Sequence, residues 1–187
     1  MRRRSHQRGF SMIELLIVVA IILIIAAIAI PNILRSKIAA NEAASASTLR
    51  SMGTANVLYS TVYNLGFAGN LRQLGPTGGG CATIGSGCAG LLDSTLSGVS
   101  PSTPTPIKSG YLFTYTPMNA APTPTAPNPS YSVVGTPVGP GSTGVSTFCL
   151  DGGNIYLIWR DTAGATTTGT GAGCAPTWVP GGTVGPV

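Results

Sequence analysis

Gly9-Phe10-Ser11-Met12-Ile13-Glu14 opens into LLIVVAIILIIAAIAI, Leu15 to Ile30, sixteen positions without a polar side chain, closed by Pro31-Asn32. At about 1.5 Å per residue, a helix from Phe10 to Ile30 is about 30 Å long, enough to cross the hydrocarbon of a bilayer. β-Branched residues are frequent in the run, yet a strand of this length leaves its edges unpaired in lipid or in a small core, so the length predicts a helix. A plain membrane anchor fits this hydropathy, and so does a secretory signal with a small-residue cleavage site at Ala27-Ile28-Ala29. Glu14 fits neither. A carboxylate inside an apolar span costs about 2.5–3.5 kcal/mol even on lenient insertion scales, and such a residue needs a partner. A cut after Gly9 would create one, the new α-amino group of Phe10, and would leave the whole apolar run on the mature chain.

Working outward, four of the ten basic residues, Arg2, Arg3, Arg4 and Arg8, precede that cut. Without them six basic residues face five acidic ones, so the formal charge of +5 belongs to the head. From Ser51 onward the only charges are Arg72, Lys108 and Arg160 against Asp93, Asp151 and Asp161. A phosphate-binding stripe is absent, and no nucleic-acid partner is expected. Of 187 residues 43% are apolar and 8% charged, with 26 Gly and 15 Pro, which is too apolar for a disordered tail and too irregular for a collagen repeat.

Pro31 lacks an N–H and crowds the preceding turn, so the helix is expected to kink or loosen near Ala27. A helical pattern resumes at once. Leu34, Ile38, Leu49, Met52, Tyr59 and Tyr63 share one face, with Ser36, Ala43, Ser47, Arg50, Thr54 and Thr61 opposite, and Asn64-Leu65-Gly66 offers a stop. Beyond it the composition turns to Gly, Pro, Ser and Thr. Four strands are expected, Tyr111–Thr116, Tyr131–Val134, Val145–Leu150 and Ile155–Trp159, the last two joined by an Asp151-Gly152-Gly153-Asn154 turn. Tyr111, Phe113 and Tyr115 alternate with Leu112, Thr114 and Thr116, which suggests an antiparallel sheet with one face buried under the helix stripe. The fold class is α+β: residues 1–9 a leader, 10–64 a long helix with 10–30 in the membrane, 65–109 a connecting loop, and 110–187 a small antiparallel sheet with its tail.

Cys81, Cys88, Cys149 and Cys174 allow three pairings. Their spacings match no usual zinc site, and disulfides are the default in an exported chain, with local pairing of Cys81 to Cys88 and Cys149 to Cys174 expected. His6 is the only histidine and lies in the leader, so the mature chain offers no histidine-dependent triad or metal site. Asp151 and Asp161 read as solvated turn residues rather than a carboxylate pair, and Thr77-Gly78-Gly79-Gly80 lacks the context of a phosphate loop. No enzyme, cofactor or metal is expected. The Ser/Thr-Pro tracts around Thr103, Thr105, Thr123 and Thr125 resemble O-glycosylated segments.

The stretch from Gly9 to Asn32 closely resembles the prepilin signal of type IV pilins and the related pseudopilins. The resemblance covers residues 1 to 32 closely and the remainder only in layout. It implies cleavage after Gly9 by a prepilin peptidase, N-methylation of Phe10, storage as a single-pass inner-membrane protein, and assembly by the pilus machinery into an extracellular homopolymer in which Glu14 sets register. The Cys149 to Cys174 bridge resembles the C-terminal disulfide-bounded loop of that family. A pseudopilin of a type II secretion system shares this head, and a minor tip pilin acting as an adhesin is a further reading. Mature protein should therefore begin at methylated Phe10, and a bulky residue at Gly9 should leave an uncut precursor. Intact-mass spectrometry checks both, and a terminus near Ala29 would mean an ordinary signal peptide.

Overall fold

The computed structural model describes residues 10–78, 81–98, 106–152, 158–161, 174 and 185–186. The chain divides into two compact units, residues 1–37 and 38–187. In the first, the described residues from Met12 onward form the opening part of helix α1 (Met12–Tyr63). Pro31 lies inside α1, so the helix does not stop there. Asn32 Nδ2 donates to the Ile28 carbonyl at 3.3 Å, one turn back, beside the place where Pro31 offers no N–H.

In the second unit the rest of α1 lies on an antiparallel sheet, the α+β arrangement expected from the sequence. The stripe residues Leu49, Met52 and Tyr59 are fully buried, and Tyr63 packs against the same cluster half-exposed. Ser36, Ala43, Ser47, Arg50, Thr54 and Thr61 are all exposed. Each large buried side chain of the stripe contributes about 1.5–3 kcal/mol. The helix ends where expected. Asn64 takes a left-handed φ of 56°, and Gly66 follows at 72° with its α-carbon against the Asn128 backbone, where a Cβ would collide.

The sheet is a meander in the order β1 (Ile107–Lys108), β2 (Tyr111–Pro117), β3 (Tyr131–Pro137), β4 (Thr147–Asp151), β5 (Ile158–Asp161) and β6 (Gly185–Pro186). Tyr111 and Phe113 are buried against the helix while Thr114 is exposed, as the alternation predicted. β3 is buried on both faces. Tyr131 and Val133 join the helix-side core with Phe148 and Leu150, whereas Val134 and Cys149, paired in register, form a second cluster with Cys174 on the other face. Gly135 interrupts the apolar run of β3 because the helix comes close here: a Cβ would sit 3.1 Å from Ser45 Oγ and 3.2 Å from Phe113.

Several boundaries differ from the sequence reading. The connecting segment contains a short helix, α2 (Leu71–Leu74), capped by Asn70, and ends in β1. β3 runs on past Gly135 to Pro137, opposite Tyr111. β4 starts at Thr147 rather than Val145, because the N–H groups of Val145 and Ser146 are taken by Glu42. Leu150 pairs with Ile158, and the described part of β5 runs on to Asp161, past the expected end at Trp159. Gly153, Asn154 and residues 155–157 lie outside the described residues.

Polar side chains of α1 fasten it to the rest of the unit. Asn56 is fully buried; its Oδ1 accepts from Ala68 N at 3.2 Å and from the Tyr115 hydroxyl at 3.0 Å, and its Nδ2 donates to the Met52 carbonyl. Asn128, equally buried, donates to the Ala68 carbonyl at 2.9 Å, so a helix, a loop and a strand meet at Ala68. Burial, and after it the neighbouring Tyr131, pushes the Tyr115 hydroxyl well above the ordinary tyrosine range, keeping it a neutral donor. One helical turn past the start of the unit, Glu42 Oε1 accepts from Val145 N and Ser146 N, both at 3.0 Å, and Oε2 meets Arg160 at 2.8 Å. Arg160 Nε donates in turn to Ser146 Oγ, and Asn41 donates to the Thr143 carbonyl.

Burial by itself would raise the Glu42 pKa, but the two backbone N–H groups, the Ser146 hydroxyl and Arg160 together outweigh it and hold the carboxyl below its ordinary 4.5. A lowered folded-state pKa means that the stabilisation is complete above about pH 4.5 and is lost as pH falls through the lowered value. Glu42→Gln should cost about 1–3 kcal/mol at neutral pH, with the gap to the parent closing in acid. Thermal unfolding of the full chain in detergent between neutral and strongly acidic pH tests this, and a pH-independent gap would contradict it. Asn56→Ala should cost about 1–3 kcal/mol by leaving Ala68 N–H buried and unpaired, read by urea unfolding in the same detergent.

Candidate assembly and processing segment

The first turn of α1 is built by Ser11 and Glu14. The Ser11 carbonyl accepts from Glu14 N at 3.1 Å and Leu15 N at 3.3 Å, and Glu14 Oε2 reaches back to accept from Ser11 N at 3.3 Å. This is half of the reciprocal Ser-x-x-Glu cap, and it places a carboxylate at the positive end of the helix. The spacing Ser11-Met12-Ile13-Glu14 was the available signal for this bond, which the sequence reading passed over. The bond uses the Ser11 amide and not the Phe10 amine, so a cut after Gly9 leaves it intact. Glu14 is exposed, as is Phe10, at 82%. Gly9 lies outside the described residues.

From Phe10 to Leu34 the large apolar side chains are exposed on all sides of the helix; Leu16, Leu23 and Ile30 all stand more than half open. By length and composition this part of α1 can cross a membrane, and none of that window is buried. A helix that is apolar all round has no polar face to give to water.

The structure joins Cys81 to Cys88 and Cys149 to Cys174, with Cα separations of 6.3 and 6.0 Å. The first bridge closes a loop held to α1 by the Tyr59 hydroxyl, which donates to the Ser86 carbonyl at 2.7 Å. The second lies on the sheet face away from α1. Asp151 and Asp161 are strand residues rather than turn residues. Asp161 pairs with Thr147 at the far end of β4 from Asp151, about 13 Å along the strand, so they form no carboxylate pair. Among the described residues no three His, Cys, Asp or Glu side chains come together as a metal site would need.

Residues 4–30 match the family model described as the prokaryotic N-terminal methylation motif. No curated protein and no solved structure matches the chain. The motif is the type IV pilin and prepilin signal, and it supports a type IV pilin-like or pseudopilin protein, a structural class rather than an enzymatic one. It implies processing by prepilin peptidase and polymerisation, and with the apolar helix it fits anchoring in the inner membrane before assembly. The match ends at Ile30, so the sheet and its disulfides carry no family assignment of their own.

Proposed function

We propose that this chain is the structural subunit of a type IV pilus filament, cut after Gly9, methylated at Phe10, and polymerised into a homopolymer through residues 10–30. The observation that supports this most is the contrast along one helix. Residues 45–59 of α1 have their own core, while large apolar side chains from Phe10 to Leu34 have nothing over them. A segment stored in lipid can move into a bundle of identical helices with little change in its apolar surroundings, so extraction from the membrane costs far less than exposure to water would.

Glu14 supplies the register. At the centre of such a bundle its carboxylate is worth most when it meets the Phe10 amine of a neighbouring copy in low dielectric, and a copy one turn out of step leaves both charges without compensation. Pro31 contributes the local bend or loosening that lets the helix fit its neighbours. A pseudopilin of a type II secretion system carries the same head, but Thr162–Val187 contain no acidic residue, whereas that class commonly binds calcium near its C-terminus through acidic ligands. That composition favours the pilus.

Electron microscopy of sheared surface filaments, with mass spectrometry of their main component, tests the assignment. Filaments made of another protein, with this chain confined to the membrane, would refute it. Glu14→Ala should strongly reduce or abolish filament assembly while leaving cleavage after Gly9 intact, since the substitution does not touch the scissile bond. Normal filaments from this variant would remove Glu14 from assembly.

A further inference from the structure

We infer that Thr125 is an O-glycosyl acceptor, a hydroxyl displayed at the tip of the loop between β2 and β3 for a transferase that uses a phosphate-activated sugar.

The loop has a buried foot and an exposed tip. Asn128, at the foot, is fully buried; its backbone exchanges hydrogen bonds with Leu65 and Phe67, and its Oδ1 accepts from Asn119 N at 3.0 Å. Three prolines, Pro122, Pro124 and Pro127, would by themselves favour an extended segment. The chain instead turns back on itself. Thr123 and Ala126 exchange both backbone hydrogen bonds at 3.1 Å, and Asn119 Nδ2 donates to the Ala126 carbonyl at 2.8 Å. Every residue from Thr123 to Pro127 is exposed. The tip is therefore both accessible and held in one shape, which lowers the ordering cost of entering an enzyme cleft.

The two hydroxyls at the tip have different uses. Thr123 Oγ1 accepts from Ala126 N at 3.0 Å and so belongs to the turn. Thr125 Oγ1 lies 3.3 Å from Thr123 Oγ1. Either hydroxyl can donate in this contact; in the arrangement where Thr123 donates, the Thr125 proton is left for solvent or for a catalytic base, and Pro124 and Pro127 present no N–H to compete for its oxygen. That hydrogen bond survives modification, because a glycosidic oxygen still accepts. Elsewhere exposed threonine hydroxyls such as Thr54 and Thr61 are turned back onto carbonyls of their own helix.

The transfer balances. Thr125 Oγ forms a bond to the anomeric carbon of the donor, the bond from that carbon to the phosphate oxygen breaks, the hydroxyl proton passes to a base of the transferase, and the phosphate-bearing carrier leaves. The gain is hydration. Beyond Ser51 three cations balance three anions, and Lys108 and Asp93 form a pair at 2.8 Å, so charge repulsion does little to keep such surfaces apart. A sugar projecting from the tip supplies hydroxyls that water holds.

The test is intact mass and electron-transfer fragmentation of the chain from the cells that make it, taken from both the membrane fraction and sheared filaments. A sugar-sized increment on Thr125 is expected, lost in Thr125→Ala and kept in Thr125→Ser, which preserves the hydroxyl. A mass explained by cleavage, methylation and two disulfides alone overturns the proposal, as does sugar confined to Thr103 or Thr105. Because membrane-held chains are read alongside filaments, a bare Thr125 leaves the filament reading standing, and a chain that forms no filament can still show the sugar.

Discussion

Seventeen large apolar side chains from Phe10 to Leu34 stand exposed, all but Phe10 on α1, and keeping them from water is the constraint on which everything else depends. At about 1.5–3 kcal/mol for full burial of each, and with roughly half their surface open, covering them is worth tens of kcal/mol, more than the 5–15 kcal/mol that holds a typical domain folded. No rearrangement of a small sheet can offset a term of that size. The medium must do so, either as lipid or as other helices of the same kind. Polymerisation through the head is thus the outcome that its composition favours whenever it leaves the membrane.

The second unit solves the opposite problem. Its part of α1 has a stripe narrow enough for one sheet face, and what remains is to hold the helix in a single register against strands far away in sequence. Apolar contact alone is tolerant of sliding. Asn56 and Glu42 are not, because each satisfies backbone N–H groups at fixed positions: Ala68 for the one, Val145 and Ser146 for the other. A shift by one residue would leave those donors unpaired, at about 1–3 kcal/mol each when buried. Glu42 also fixes where β4 begins, since the N–H groups it binds are withdrawn from the ladder.

Elements whose signal is periodic were legible in the sequence. The apolar run, the stripe through Leu49, Met52 and Tyr59, the alternation of Tyr111 and Phe113, and the stop at Asn64 all follow from local spacing. Elements defined by a distant partner were not. β1 and β6 are two residues each and exist only because β2 and β5 lie beside them. Val145 looks like strand, and only a glutamate 103 residues earlier explains why it is not. At the head the same division holds. The expected cleavage junction rests on a motif, whereas the Ser11 to Glu14 cap was overlooked because the carboxylate was weighed as a membrane cost and not as the third residue of a helix. The sheet beyond Ile30 could be placed by physics but not by kinship, which matches the extent of the family motif.

Where the carboxylates are spent bears on how copies would meet. Glu14 caps its own helix, Glu42 is closed off by Arg160 and two amides, and Asp93 is divided between Leu96 N and Lys108. For the last of these, burial is outweighed by Lys108 and the backbone amides, and the carboxyl stays below its ordinary range. Glu42 and Asp93, with both oxygens engaged, therefore act within the chain rather than between chains, whereas the Glu14 cap uses one oxygen and leaves the other open. On the filament reading, globular units of neighbouring copies have little charge with which to recognise one another, and screening by salt changes their contacts little. Discrimination between correct and incorrect neighbours then falls to shape along the sheet side and to the one carboxylate in the apolar head, where low dielectric makes a single mispaired charge decisive.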